Sequence, residues 1–228
     1  MRIGIIVAMS KELELLKPML ENMRESNNNG ITFYCGTIGE HKIAGMQCGI
    51  GKVNAAMGTV SMIANYSPQL IINTGVAGGM NNKVNVMDLV VGSKVCYHDV
   101  WCGFDGVSVH GQVQGLPLYY EASSKVMDML PEKEGIHCGL IVSGDQFIDS
   151  IERVDAIREL FPEALAVDME SGAIAQVCYV KKTPFVSMRI ISDSPGAGHN
   201  NTNQYNDFWA EAPQHTLSAV RRLLEMLH

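Results

Sequence analysis

The chain has 228 residues, 46% of them hydrophobic and 18% charged, with a formal net charge of -7, a balance that suits a globular chain with a sizeable core. It lacks the basic stripe that binding to a phosphate backbone requires, which argues against nucleic acid as a partner. No run reaches the ~18 apolar residues that would cross a bilayer; the six cysteines, at 35, 48, 96, 102, 138 and 178, form no CxxC pair, which favours free core thiols in a reducing, cytoplasmic setting over zinc ligands or disulfides.

The apolar run at residues 3–9 is interrupted at once by Lys11, Glu12 and Glu14, so residues 1–8 read as a buried first strand rather than a signal peptide. Ser10 then heads an amphipathic helix with Leu13, Leu16 and Leu20 on one face, broken at Asn27-Asn28-Asn29-Gly30. Residues 31–37 and 42–48 read as a hairpin through Gly39, and Gly49-Ile50-Gly51 opens a helix over 52–66 that Ser67-Pro68 stops. Residues 69–74 form a buried strand that runs into a flexible loop, Gly75-Val76-Ala77-Gly78-Gly79. Strand 88–97 leads into a long polar excursion over 98–117, a length usually associated with function.

A helix over 121–130, a strand over 138–143, a helix over 151–161, a strand over 164–169, a helix over 171–180 and a strand over 185–192 follow. A Gly/Asn-rich loop at 196–203 precedes a last helix over 207–227. With strands alternating with helices and no repeat or linker, the reading is one α/β domain over residues 1–228, three-layered, around a mixed, largely parallel sheet.

Several strands end beside acids or other chemistry-bearing residues: Ala8 before Glu12, Thr74 before the glycines, Ser143 before Asp145 and Phe147, Met169 before Glu170, and Ser192 before Asp193. In a parallel sheet such ends share one edge and can converge on a pocket. Each also has a plain structural reading. Asp193, ahead of Pro195-Gly196, suits a turn; Glu12 and Glu170 suit the first turn of a helix; Phe147 suits the core. Gly49-Ile50-Gly51-Lys52 is not a phosphate loop, because its spacing is wrong and Val53 follows the lysine. His98-Asp99 reads as a solvated loop pair rather than a metal site, since adjacent strand residues face opposite ways.

In order along the chain stand Ile3-Gly4-Ile5-Ile6 with Ala8-Met9 and Glu12, Gly49-Ile50-Gly51-Lys52-Val53, Ile72-Asn73-Thr74-Gly75 with Ala77-Gly78-Gly79, and Val142-Ser143-Gly144-Asp145 with Phe147-Ile148. Val167 to Glu170 and Ile191-Ser192-Asp193 complete the set. Together these six blocks resemble the bacterial 5'-methylthioadenosine/S-adenosylhomocysteine nucleosidases. The resemblance implies a nucleoside phosphorylase/hydrolase fold and a homodimer with the 98–117 loop near the partner's site. It implies an adenine nucleoside as substrate, and neither cofactor nor metal. By resemblance, Glu12 activates water, Asp193 protonates adenine, and Glu170 holds the ribose hydroxyls beside Met169. Phe147 stacks on the purine, the Ile148 backbone reads its edge, Ser192 and Arg189 place Asp193 and the sugar end, and Met9, Ile50, Val76 and Tyr205 belong to the substrate wall.

The chemistry fits those roles. Breaking an N-glycosidic bond leaves positive charge on the sugar and negative charge on the purine, so an acid must neutralise the base and a base must deliver water. Two carboxyl groups can divide the work only if their surroundings separate their pKa values. An acid at Glu12, where phosphorylases carry their phosphate loop, disfavours phosphate as the nucleophile. The chain departs from the family pattern at Val76, commonly a serine, at Tyr205, aligned with a phenylalanine, and in the loops at 98–117 and 194–203. The competing readings are a hydrolase of another purine nucleoside such as a futalosine-type intermediate, a nucleoside phosphorylase, and a non-catalytic nucleoside-binding protein.

Overall fold

The structure, a computed structural model, describes residues 1–103, 109–130, 133–194, 201–211 and 215–227. β1 (Arg2–Val7) lies between β4 (His41–Gln47) and β5 (Leu70–Gly79), parallel to both. Its side chains alternate. Ile3, Ile5 and Val7 pack toward α1 (Ser10–Leu16), α6 (Asn201–Glu211) and α7 (His215–Met226), while Ile6 packs toward α2 (Lys52–Tyr66) and α5 (Ser171–Lys181). This period of two gives a three-layer α/β/α arrangement. α4 (Ile151–Leu160) closes a third core cluster over β8 (Ile136–Ser143) and β9 (Ala164–Asp168), with Val154 and Ile157 against Leu140 and Val142.

The remaining strands are β2 (Glu21–Asn28), β3 (Ile31–Ile38), β6 (Leu89–Tyr97), β7 (Tyr120–Glu121) and β10 (Phe185–Asp193). The strand order is β10-β6-β8-β9-β5-β1-β4-β3-β2, with β7 on β6. A further pairing of β10 with β5 closes β5, β10, β6, β8 and β9 into a ring. The sheet is mixed: β5 and β10 run parallel, whereas β9 runs antiparallel to β5 and β6 antiparallel to β10.

Four expected elements differ. The helix begun at Ser10 ends at Leu16, and after a short 3-10 turn containing Pro18 the chain becomes β2, not more helix. Asn29 (φ 52°) and Gly30 (φ 82°) form the tight two-residue turn joining β2 to β3, a hairpin signal that outweighs local helix propensity. The glycine run 75–79 is the second half of β5, because Gly75 to Gly78 pair with residues 189–193 of β10. Tyr120–Glu121 is captured by β6, leaving only the short α3 (Ser124–Met127) of the helix read over 121–130. In place of one helix over 207–227 there are α6 and α7, with 212–214 outside the described residues. Residues 104–108 of the long excursion, including Phe104, and 195–200 of the later loop also lie outside them.

Two of the six thiols, Cys96 and Cys178, are buried as a core reading requires, whereas Cys138 is exposed. His98 is buried, not solvated as expected.

Candidate active site

β5 and β9 overlap only in their last residues, Gly78 opposite Val167 and Gly79 opposite Ala166. Two antiparallel strands that meet only at their carboxyl ends deliver both ends to one place. β10, parallel to β5, adds Arg189, Ser192 and Asp193, and β1 adds Ala8 with the first turn of α1. The convergence read from the strand ends thus arises in a ring of mixed direction rather than along one parallel edge. The resulting cavity is lined by Glu12, Glu170 and Asp193 together with Met9, Ile50, Val76, Phe147, Ile148, Met169, Arg189, Ser192 and Tyr205.

The three acids are buried in different company. Met9 is the N-cap of α1 and Ser10 its first residue, so Glu12 stands in the third helical position. Its Oε2 folds back to accept the N–H groups of Ala8 (2.9 Å) and Met9 (3.0 Å), as the glutamate of a capping box does. Burial raises its pKa, while Arg189 and backbone N–H groups pull the other way. Asp193 is 3% exposed and accepts the Ser192 hydroxyl at 2.6 Å. Burial raises its pKa too, opposed by the Ser192 hydroxyl. Glu170, at the N-cap of α5, accepts the Gly51 N–H at 3.0 Å and lies 3.6 Å from Arg189 Nη2. Burial pushes it up to about 7, against the pull of Arg189 and with a further push from Asp168.

The walls complete the cavity. Phe147 is 46% exposed, so its ring belongs to the cavity mouth rather than the core, and it meets Tyr205 edge-on at 6.0 Å. The Tyr205 hydroxyl reaches Met9 Sδ at 3.3 Å. Ile148 is buried while Ile50 stands half exposed at the rim.

A model of the phosphorylase superfamily matches residues 2–225. A 5'-methylthioadenosine/S-adenosylhomocysteine nucleosidase of Lysinibacillus sphaericus is 37% identical over 233 residues, covering 100% of each chain. The chain belongs to the 5'-methylthioadenosine/S-adenosylhomocysteine nucleosidase family. It is also similar to the enzyme of that name from S. pneumoniae, solved with the transition-state inhibitor MT-ImmA, at TM-score 0.93 and 34% identity over 100% of both chains. The S. pneumoniae nucleosidase with 8-aminoadenine gives TM-score 0.94 at 35% identity, again over 100% of both chains.

In this member of the family a buried polar network lies behind the acids, and the sequence reading gave most of it no role. Arg189, 1% exposed, places Nε 2.7 Å from Asp168 Oδ2 and donates from Nη2 to Asn73 Oδ1 and to Ser171 Oγ. Asp168 also accepts the Ser171 N–H and hydroxyl, and Ser187 bonds Ser171 at 2.6 Å. Burial works against the Arg189 charge, but Asp168, Glu170 and Glu12 outweigh it and raise its pKa. A signal was available: Asp168 and Glu170 are two acids two residues apart where β9 hands over to α5, close enough in the chain for one cation to meet both. Gly75 was also misjudged as a source of flexibility. A Cβ there would lie 2.5 Å from both Arg189 Nη1 and Glu12 Oε1, so the glycine is what lets the two approach β5.

Proposed function

We propose that this chain hydrolyses the N-glycosidic bond of 5'-methylthioadenosine and S-adenosylhomocysteine, and of 5'-deoxyadenosine, to adenine and the corresponding ribose. The observation that carries the mechanism is that Glu12 and Asp193 share one cavity with unlike partners. Burial raises the Glu12 pKa, and Arg189 and the backbone N–H groups limit that rise by supporting its ionised form, which suits a base that activates water. Asp193 accepts the Ser192 hydroxyl, and burial nonetheless raises its pKa, which suits an acid that holds a proton for the departing purine. Glu170 accepts the ribose hydroxyls and supplies negative charge where the sugar becomes cationic. Phe147 and Ile148 hold the purine, Met169 lies beside the ribose, and Met9, Ile50, Val76 and Tyr205 wall the rest.

Water rather than phosphate is the nucleophile. The N–H groups of Ala8 and Met9, which an anion after the first strand would use, are taken by the Glu12 carboxylate. On this reading residues 1–228 act as one domain, in the cytoplasm, as a homodimer with the 98–117 loop near the partner's site. Support for the dimer comes from Val53, Met57 and Val60, which leave an exposed apolar stripe along α2 beside Ile50. No helix among the described residues is long and apolar enough to cross a membrane.

The test is product analysis from methylthioadenosine with and without phosphate. Adenine and free methylthioribose at equal rates in both arms support the assignment. A ribose-1-phosphate product, or the absence of adenine release, would overturn it.

A further inference from the structure

Asp99 lies outside the cavity, yet it joins two of its walls. Its Oδ2 accepts both Lys52 Nζ at 2.8 Å and the Asp145 N–H at 2.9 Å. Asp145 in turn accepts the Lys52 backbone N–H through Oδ1 at 2.7 Å. Three residues from three separate segments therefore close a small ring of hydrogen bonds. The approach is tight on both sides. A Cβ on Gly51 would meet Asp145 Oδ1 at 2.9 Å, and one on Gly144 would meet the Asp99 carboxyl carbon at 2.8 Å. Burial opposes the Asp99 charge, but the Lys52 ammonium and the Asp145 N–H more than offset it and hold its pKa below the usual carboxylate range.

The ring leads to the site by two routes. Next to Lys52, Gly51 donates its N–H to Glu170, the group assigned to the ribose hydroxyls. Next to Asp145, residues 146–148 line the cavity and carry the purine-facing Phe147 and Ile148.

We propose that Asp99 is a positioning residue that clamps the Gly51-Lys52 turn to the segment bearing Phe147 and Ile148, so that one carboxylate fixes the spacing between the ribose and purine subsites. This rests on the assignment of an adenine nucleoside to the cavity. Neither Asp99 nor Lys52 lines the cavity, so their influence on ligand passes entirely through the two segments. Because the clamp acts on binding geometry and leaves Glu12 and Asp193 in place, its loss falls on affinity rather than on the chemical step.

The experiment compares Asp99→Asn, Lys52→Gln and the double variant with the unaltered chain, by adenine titration calorimetry and by steady-state kinetics with methylthioadenosine. Each single change is expected to raise the adenine Kd and the KM about tenfold while kcat stays within about twofold, and the double variant is expected to match the singles, because all remove one link. A loss of fold in Asp99→Asn leaves the test to Lys52→Gln, whose side chain is partly exposed. Unchanged adenine affinity and KM in Lys52→Gln, or a fall in kcat at constant KM, would overturn the clamp. An unaltered chain that binds adenine without cleaving nucleoside refutes the hydrolase assignment and leaves the clamp to be judged on the Kd values. One that binds no adenine overturns both.

Discussion

Replacing Glu170 with glutamine should change how stability depends on pH, with a sign that burial fixes. In the unfolded chain the carboxyl ionises at its ordinary 4.5, whereas in the folded chain burial pushes it up to about 7. Between those values the folded state binds the proton more tightly, so folding releases less charge into the core at low pH and the contribution of this group to stability falls as pH rises through the window. At about 1.36 kcal/mol per pH unit the full effect is on the order of 3 kcal/mol. Most of it lies between pH 5 and pH 8. Glutamine keeps the shape and the acceptor for the Gly51 N–H but cannot ionise. Whatever contacts Glu170→Gln loses, its stability relative to the unaltered chain should therefore improve by on the order of 2 kcal/mol on going from pH 5 to pH 8. Urea unfolding of both proteins at the two pH values, at one protein concentration, measures this directly. A difference between the proteins that is the same at both pH values would refute the reasoning, since it would mean that Arg189 already cancels the cost of burying the charge.

Three other outcomes follow from the site. Asp193→Asn and Glu12→Gln should each depress adenine release by about 10²- to 10⁴-fold, the usual worth of a positioned acid or base, with unfolding midpoints showing that the fold survives; near-normal turnover in either would remove that residue from its role. Ser192→Ala deletes the 2.6 Å hydrogen bond that favours ionised Asp193, so the Asp193 pKa should rise further and the alkaline limb of kcat/KM should move to higher pH; a limb that moves down or stays put argues that another group sets it. Gly75→Ala forces a methyl against Arg189 and Glu12 and should cost on the order of 3 kcal/mol in urea unfolding; a change below about 0.5 kcal/mol would show that the two side chains can part freely.

Much of the site was legible in the chain because the information is local. A strand followed by an acid or a small polar residue is a short-range pattern, and Glu12, Glu170, Ser192 and Asp193 all stand in such patterns. The resemblance then placed twelve residues that the structure gathers around one cavity. The elements that failed are those whose state is set by a distant partner. Residues 21–28 carry no strong strand pattern and become β2 because the Asn29-Gly30 turn folds them onto β3. The glycines 75–79 have every local mark of a loop and are a strand because β10 and β9 supply the ladder.

What the sequence determined by itself was the alternation of strands and helices, the apolar faces and the kinds of group available for chemistry, since each depends on neighbours a few residues apart. Only the tertiary structure decided which groups act together. Asp168, Asn73 and Ser171 meet Arg189 from three different elements, and Asp99 meets Lys52 and Asp145 across 47 and 46 residues of chain. The physical reason is burial. A carboxylate or guanidinium removed from water must find a partner within a few ångströms, and which partner is there depends on strand pairing and ring closure, not on the residues beside it in the chain.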